Sequence, residues 1–299
     1  MKVPTESYNQ ISHNYSNALI WMRDIGVNIG SGRTQHYQKV LENWKGKYKT
    51  ATLDEENSVF PNFVSSVFEI HDFVQIYKAF HDVPKSELIH IAAKLQKGVN
   101  GPINAVEETA KSTTARNFLF EASFAARAHR PNVNVEAILD AETDTGINID
   151  KKKLWVECKR VTSIDKIETN VRKACKQLES IIKKKIGSGH RGIVALDVTK
   201  LISPGDEIFV SDNDSELMAS VDRMMDQFIL EHSKIWQELY NRKSKKIIGT
   251  IVRFAFMSTS ESRNLLVYTS QWGVNPRLGI SASDEEIQRV LAHSLKDIL

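Results

Sequence analysis

The chain has 299 residues, 41% hydrophobic and 26% charged, which is the balance of an ordinary soluble globular protein rather than a disordered or fibrous one. Its opening Met1-Lys2-Val3-Pro4-Thr5-Glu6 lacks the apolar core of a secretory signal, no apolar run nears the ~20 residues that span a bilayer, and two cysteines suit a reducing compartment, so the expectation is a cytoplasmic protein with no membrane partner. Net charge is only +3, yet residues 151–191 hold thirteen Lys/Arg against four Asp/Glu, and a basic field of that kind draws a polyanion, nucleic acid foremost.

The first ~110 residues read as helical. Asn14 to Arg23 and Thr34 to Tyr48 have helical spacing on either side of a Gly30-Ser31-Gly32 break, with Tyr37, Val40, Leu41 and Trp44 as one apolar stripe. Phe60 to Phe80 is a strongly apolar helix or pair, with Pro61 marking a start, and Ser86 to Leu95 follows. The loop Lys97-Gly98-Val99-Asn100-Gly101-Pro102 is the preferred boundary, dividing a helical accessory region, 1–110, from a second domain, 111–299.

The second domain is mixed. Thr114 to His129 is an amphipathic helix ended by Pro131, and Val133 to Leu139 alternates as a strand. Ile164 to Lys185 is a long helix with an inner stripe of Ile167, Val171, Ala174, Leu178 and Ile181. Gly192 to Val198 is a continuous apolar run, the form of a strand buried on both sides. Ser215 to Tyr240 is another helix, Ile247 to Met257 and Leu265 to Tyr268 are strands, and Asp284 to Leu295 closes as a helix. The order α-β-β-β-α-β-α-β-β-α implies an α/β fold with a mixed central sheet flanked by helices.

Between these elements lies the chemistry. Leu154-Trp155-Val156-Glu157-Cys158-Lys159-Arg160 reads as a strand in which Glu157 and Lys159 share a face, because residues two apart on a strand point the same way. A turn over Asp150 to Lys153 would pair Ile149 with Leu154, Ile147 with Val156 and Asp144 with Lys159. Asp144 would then lie about 5–8 Å from Glu157, with Gly146 leaving open space. Two clustered carboxylates repel unless a cation sits between them, and carboxylate oxygens suit Mg²⁺. A Lys beside such an ion and a phosphate makes a plausible hydrolytic centre. The plain alternative is a surface hairpin with one Asp144–Lys159 pair, worth under ~1 kcal/mol. Cys158 and Cys175 read as small core residues.

These residues resemble the PD-(D/E)xK nuclease superfamily, whose fold is called restriction endonuclease-like. The resemblance covers roughly residues 112–200: a helix with an internal Glu, a strand, Asp144, a twelve-residue gap, Glu157-Cys158-Lys159, a helix carrying Gln177, and a core strand. Thr143 stands where the family has Pro, and Asp140 and Glu142 share the parity of Asp144 as alternative acids. The resemblance implies that Asp144 and Glu157 ligate Mg²⁺, with Mn²⁺ as a substitute, and that the Cys158 carbonyl is a further ligand. It implies that Lys159 orients or activates water and stabilises the transition state, that Glu121 is the helix carboxylate serving as second ligand or base, and that Gln177 faces the site. The function so implied is a metal-dependent nuclease, a hydrolase acting on DNA above all, in restriction, repair or phage defence. The helical N-terminal region would serve a protein partner or a homodimer contact. The competing reading is a non-catalytic nucleic-acid-binding or assembly protein that keeps the nuclease core.

Overall fold

In a computed structural model the described residues are 6–296, apart from 31, 48–49, 51, 110–111, 142–143, 204–207 and 261–264. They divide into two compact units, neither of which is one continuous stretch. The first unit takes residues 1–123, 203–219 and 255–269; the second takes 124–202, 220–254 and 270–299.

The first unit opens with helices α1 (Tyr8–Asp24), α2 (Arg33–Lys47), α3 (Leu53–Phe80) and α4 (Ile89–Gly98), followed by most of α5 (Thr114–Ala128). The helix α3 begins seven residues ahead of Phe60, where the sequence reading put it. Thr52 accepts from the Glu55 amide while the Glu55 carboxylate accepts from the Thr52 amide, a capping box that satisfies the first turn and leaves Pro61 inside the helix. The unit's interior holds a buried charge cluster: Glu69 receives Arg33 at 3.0 Å and Arg116 at 2.5 Å. Both guanidiniums are below 5% exposed and also donate to main-chain carbonyls, so the acid is paired from two sides, while Arg116 Nη1 stays buried without a hydrogen-bond partner.

The second unit holds the sheet that carries the site. Its strands are β1 (Val135–Ala137), β2 (Thr145–Ile149), β3 (Lys152–Arg160), β4 (His190–Asp197) and the first part of β6 (Ile247–Ser260), with helix α6 (Ile167–Lys184) between β3 and β4. After β4 come the short α7 (Thr199–Ile202), β5 (Ile208–Ser211) and α8 (Asp214–Tyr240). The chain then forms β6, β7 (Leu265–Pro276) and the closing helix α9 (Ala282–Leu295). Hydrogen bonding orders the strands β1-β2-β3-β4-β6-β5, with β7 on β6. β1, β2 and β3 are antiparallel; β3, β4 and β6 run parallel. The mixed sheet with flanking helices is the α/β class the sequence implied. The strand β4 is buried from Gly192 to Asp197, as a central parallel strand should be. Among the described residues no helix is long and apolar enough to cross a membrane.

The hairpin differs from the expected register. Ile147 pairs with Leu154, and Ile149 with Lys152, so the turn is two residues, Asp150-Lys151, rather than four. Asp150 enters the left-handed region at φ 52°, which Asp tolerates better than most residues. The register shifts by two, an even number, so each side chain keeps its face. Gly146 is not open space either: a Cβ there would sit 3.1 Å from Ile138 and 3.2 Å from Trp155.

Candidate active site

Trp155, Glu157 and Lys159 share one face of β3. In the parallel register Trp155 lies beside Gly192, Glu157 beside Val194 and Lys159 beside Leu196. Helix α6 covers this face, since a Cβ on Gly192 would meet Ile182 at 3.0 Å and Leu178 at 3.2 Å. Glu157 has Val194 as its β4 neighbour on this face and is only 1% exposed. Val156 and Cys158 point the other way and are buried, as is Cys175 on α6.

Asp144 sits one residue before β2. Continuing the observed register sets it opposite Glu157, not Lys159. Its Oδ2 accepts from the Cys158 amide at 2.8 Å, which ties the acid to the strand it faces. Three oxygens then converge on one ammonium: Lys159 Nζ donates to Asp144 Oδ2 at 2.9 Å, to Glu157 Oε2 at 2.9 Å and to the Cys158 carbonyl at 3.1 Å. These are three of the four oxygen donors that the sequence resemblance assigns to the metal, Glu121 being the fourth.

The electrostatics follow from this crowding. Burial and the neighbouring Asp144 carboxylate push the Glu157 carboxyl up to about 7, against the opposing pull of Lys159. Burial alone would lower the Lys159 ammonium, but Asp144 and Glu157 outweigh it and raise it above its ordinary value. Two carboxylates held this close, beside a main-chain carbonyl, could hold a hard cation. Two carboxylates and a carbonyl are the oxygen donors that Mg²⁺ or Mn²⁺ takes. Among the described residues no group of three or more His, Cys, Asp or Glu side chains gathers for a metal, so any seat here uses two side chains and one main-chain oxygen.

The other expected residues fall as follows. Glu121 is buried on α5, where it is ion-paired with Lys94 inside the first unit. Gln177 is exposed on α6, between buried Ala174 and Leu178, and no hydrogen bond among the described residues ties it to Asp144, Glu157 or Lys159. Asp140 is exposed in a turn, while Glu142 and Thr143 lie outside the described residues.

The sequence reading missed the next row of the sheet. Arg160, Asp197 and Arg253 stand in register across β3, β4 and β6. Asp197 Oδ2 takes Arg160 at 3.5 Å and Arg253 at 3.3 Å, while its Oδ1 accepts from the Thr199 amide at 2.9 Å. The signal was present: an Asp closing the apolar run of β4 and an Arg within that of β6 are charges that a buried strand carries only when paired. This row braces the strand ends one residue beyond Lys159.

Compared with families of known proteins, with curated proteins and with solved structures, the chain matches none.

Proposed function

We propose that this protein is a Mg²⁺-dependent nuclease that hydrolyses phosphodiester bonds, acting on DNA, with a restriction endonuclease-like core. The observation that carries the reading is the convergence of Asp144 Oδ2, Glu157 Oε2 and the Cys158 carbonyl on a single positive charge. Asp144, Glu157 and that carbonyl would hold the metal, which when bound supplies a Lewis acid for a phosphate oxygen and lowers the pKa of water. The chain's own residues do the rest. The Cys158 amide fixes the Asp144 carboxylate, and the burial of Glu157 beside Val194 keeps water from it and strengthens each charge there. Lys159 remains an ammonium across ordinary pH, so it donates hydrogen bonds and stabilises negative charge building on phosphate. It does not serve as the base.

The test is cleavage of plasmid, linear and single-stranded DNA, and of RNA, in Mg²⁺, Mn²⁺ and EDTA. Wild type should cleave DNA only with metal, and Lys159→Ala should lose at least about 10²-fold in kcat while keeping the fold. Equal cleavage by both would remove Lys159 from the chemistry. No cleavage by wild type of any substrate would favour the second reading, a nucleic-acid-binding or assembly module. The observation on its side is that the Lys159 ammonium already satisfies both carboxylates.

A further inference from the structure

The loop between α6 and β4 gathers lysines at the end of the sheet remote from Lys159. The Lys153 amide donates to the Gly189 carbonyl at 3.0 Å, and Lys153 is in register with His190. The Gly192 amide donates to the Lys246 carbonyl at 2.8 Å. Lys185 Nζ lies 5.1 Å over the Trp155 ring, which stacks parallel to His190. The last residues of α6, Lys183 and Lys184, are exposed beside it, and Lys151 heads the adjoining hairpin turn. Among the described residues Lys151, Lys153, Lys183, Lys184 and Lys246 make no ion pair; the nearby Glu179 is already engaged by Lys243 and the Ser244 amide. Asp150 is the exposed acid of the turn itself.

His190 responds to that field. Trp155 Nε1 donates to its Nδ1 at 3.1 Å, so the ring proton sits on Nε2, 3.2 Å from the Ile186 carbonyl. Burial, then the charges of Lys153, Lys246 and Lys185, hold the imidazole below the usual histidine range. Lys153, Lys246 and Lys185 thus all lie close enough to this loop to act on one ring. Lysines left unpaired in such a cluster repel one another unless an anion joins them.

We infer that this lysine cluster is a second nucleic-acid contact, binding the phosphate backbone of the substrate away from the scissile bond. The ligand class rests on the nuclease reading. Six residues of extended strand separate Lys153 from Lys159, about 20 Å, or roughly six base pairs of duplex. The cluster thus sets how far the substrate must extend beyond the cut.

The experiment measures binding, not cleavage. Fluorescence anisotropy in EDTA, with labelled 30-base-pair DNA over about 50–200 mM NaCl, compares three full-length proteins: wild type, the triple variant Lys153→Gln/Lys183→Gln/Lys184→Gln, and Lys39→Gln/Lys45→Gln/Lys47→Gln on α2 as a control of equal net charge. Patch substitution should weaken binding at least about tenfold and reduce the slope of log K against log salt by roughly 2–3, since each lost phosphate contact removes about 0.9. The α2 control should leave the slope unchanged. Equal losses in both variants, no loss in the patch variant, or no DNA binding by wild type would each overturn the inference. So would patch-dependent binding to phosphatidylserine vesicles with DNA binding intact. Because no metal is present, this result stands apart from the cleavage test: the cluster can fail while Lys159 passes, and the reverse.

Discussion

Glu157 is an acid whose surroundings work against its charge, and this sets a pH dependence. Its carboxyl rises from an ordinary 4.5 to about 7 in the folded protein, through burial and the Asp144 charge. Between those values the folded state holds a proton that the unfolded chain releases. The contribution to stability is therefore complete below pH 4.5 and is lost as pH rises towards 7. The raised Lys159 ammonium acts only in the alkaline range, so it does not blur this window. Metal-free urea unfolding at pH 5 and pH 7.5 should show wild type losing on the order of 2 kcal/mol relative to Glu157→Gln; parallel curves for the two proteins would mean that Glu157 ionises normally. At this scale the sequence was informative because parity survives error. Glu157, Lys159 and Asp144 keep one face although the register moved by two. Asp140 and Glu142 share the parity of Asp144 but lie two pairs and one pair farther from Glu157 along the strand, so distance already favoured Asp144 in the sequence. The Cys158 amide that fixes its carboxylate is a main-chain donor that no side-chain pattern reveals.

Elements were legible where an apolar period was long. The helix α6, the strand β4 and the helix α8 stand within a few residues of their sequence bounds. The β5 strand and the short α7 were not foreseen, since four residues carry too little periodicity to read. The end of β7 was missed as well: its strand continues past Tyr268 to Pro276 through Gly273, a residue that would ordinarily interrupt one. Close packing explains such glycines. At Gly249 on β6 a Cβ would lie 2.6 Å from the Asn275 carbonyl and 2.7 Å from Gln288 Nε2. Gly249→Ala must push β6 from the β7 main chain and displace the Gln288 side chain, and should cost about 1–3 kcal/mol, seen as a lowered Tm, whereas an unchanged Tm would mean that the contact relaxes freely.

For the whole molecule, the informative quantity is not the net charge of +3 but its distribution. The basic stretch 151–191 runs through the candidate site, supplying Lys159 near one end of β3 and most of the lysine cluster at the other. The expected division at residue 110 rested on a change of local pattern. The two compact units are instead assembled from interleaved segments, because α5, α8 and β6 each contribute residues to both. Such interleaving follows from long-range pairing, as in β5 with the end of β6, and leaves no mark on composition.

The central claim is that Asp144, Glu157 and the Cys158 carbonyl form a seat for one divalent ion. Isothermal titration of Mn²⁺ into the full-length protein at pH 8 and pH 6 tests it without any substrate. One site per chain should appear, binding more tightly at pH 8 because Glu157 must give up its proton, and Asp144→Asn or Glu157→Gln should abolish it. Equal Mn²⁺ binding by wild type and both variants, or no binding by wild type at pH 8, would contradict the account.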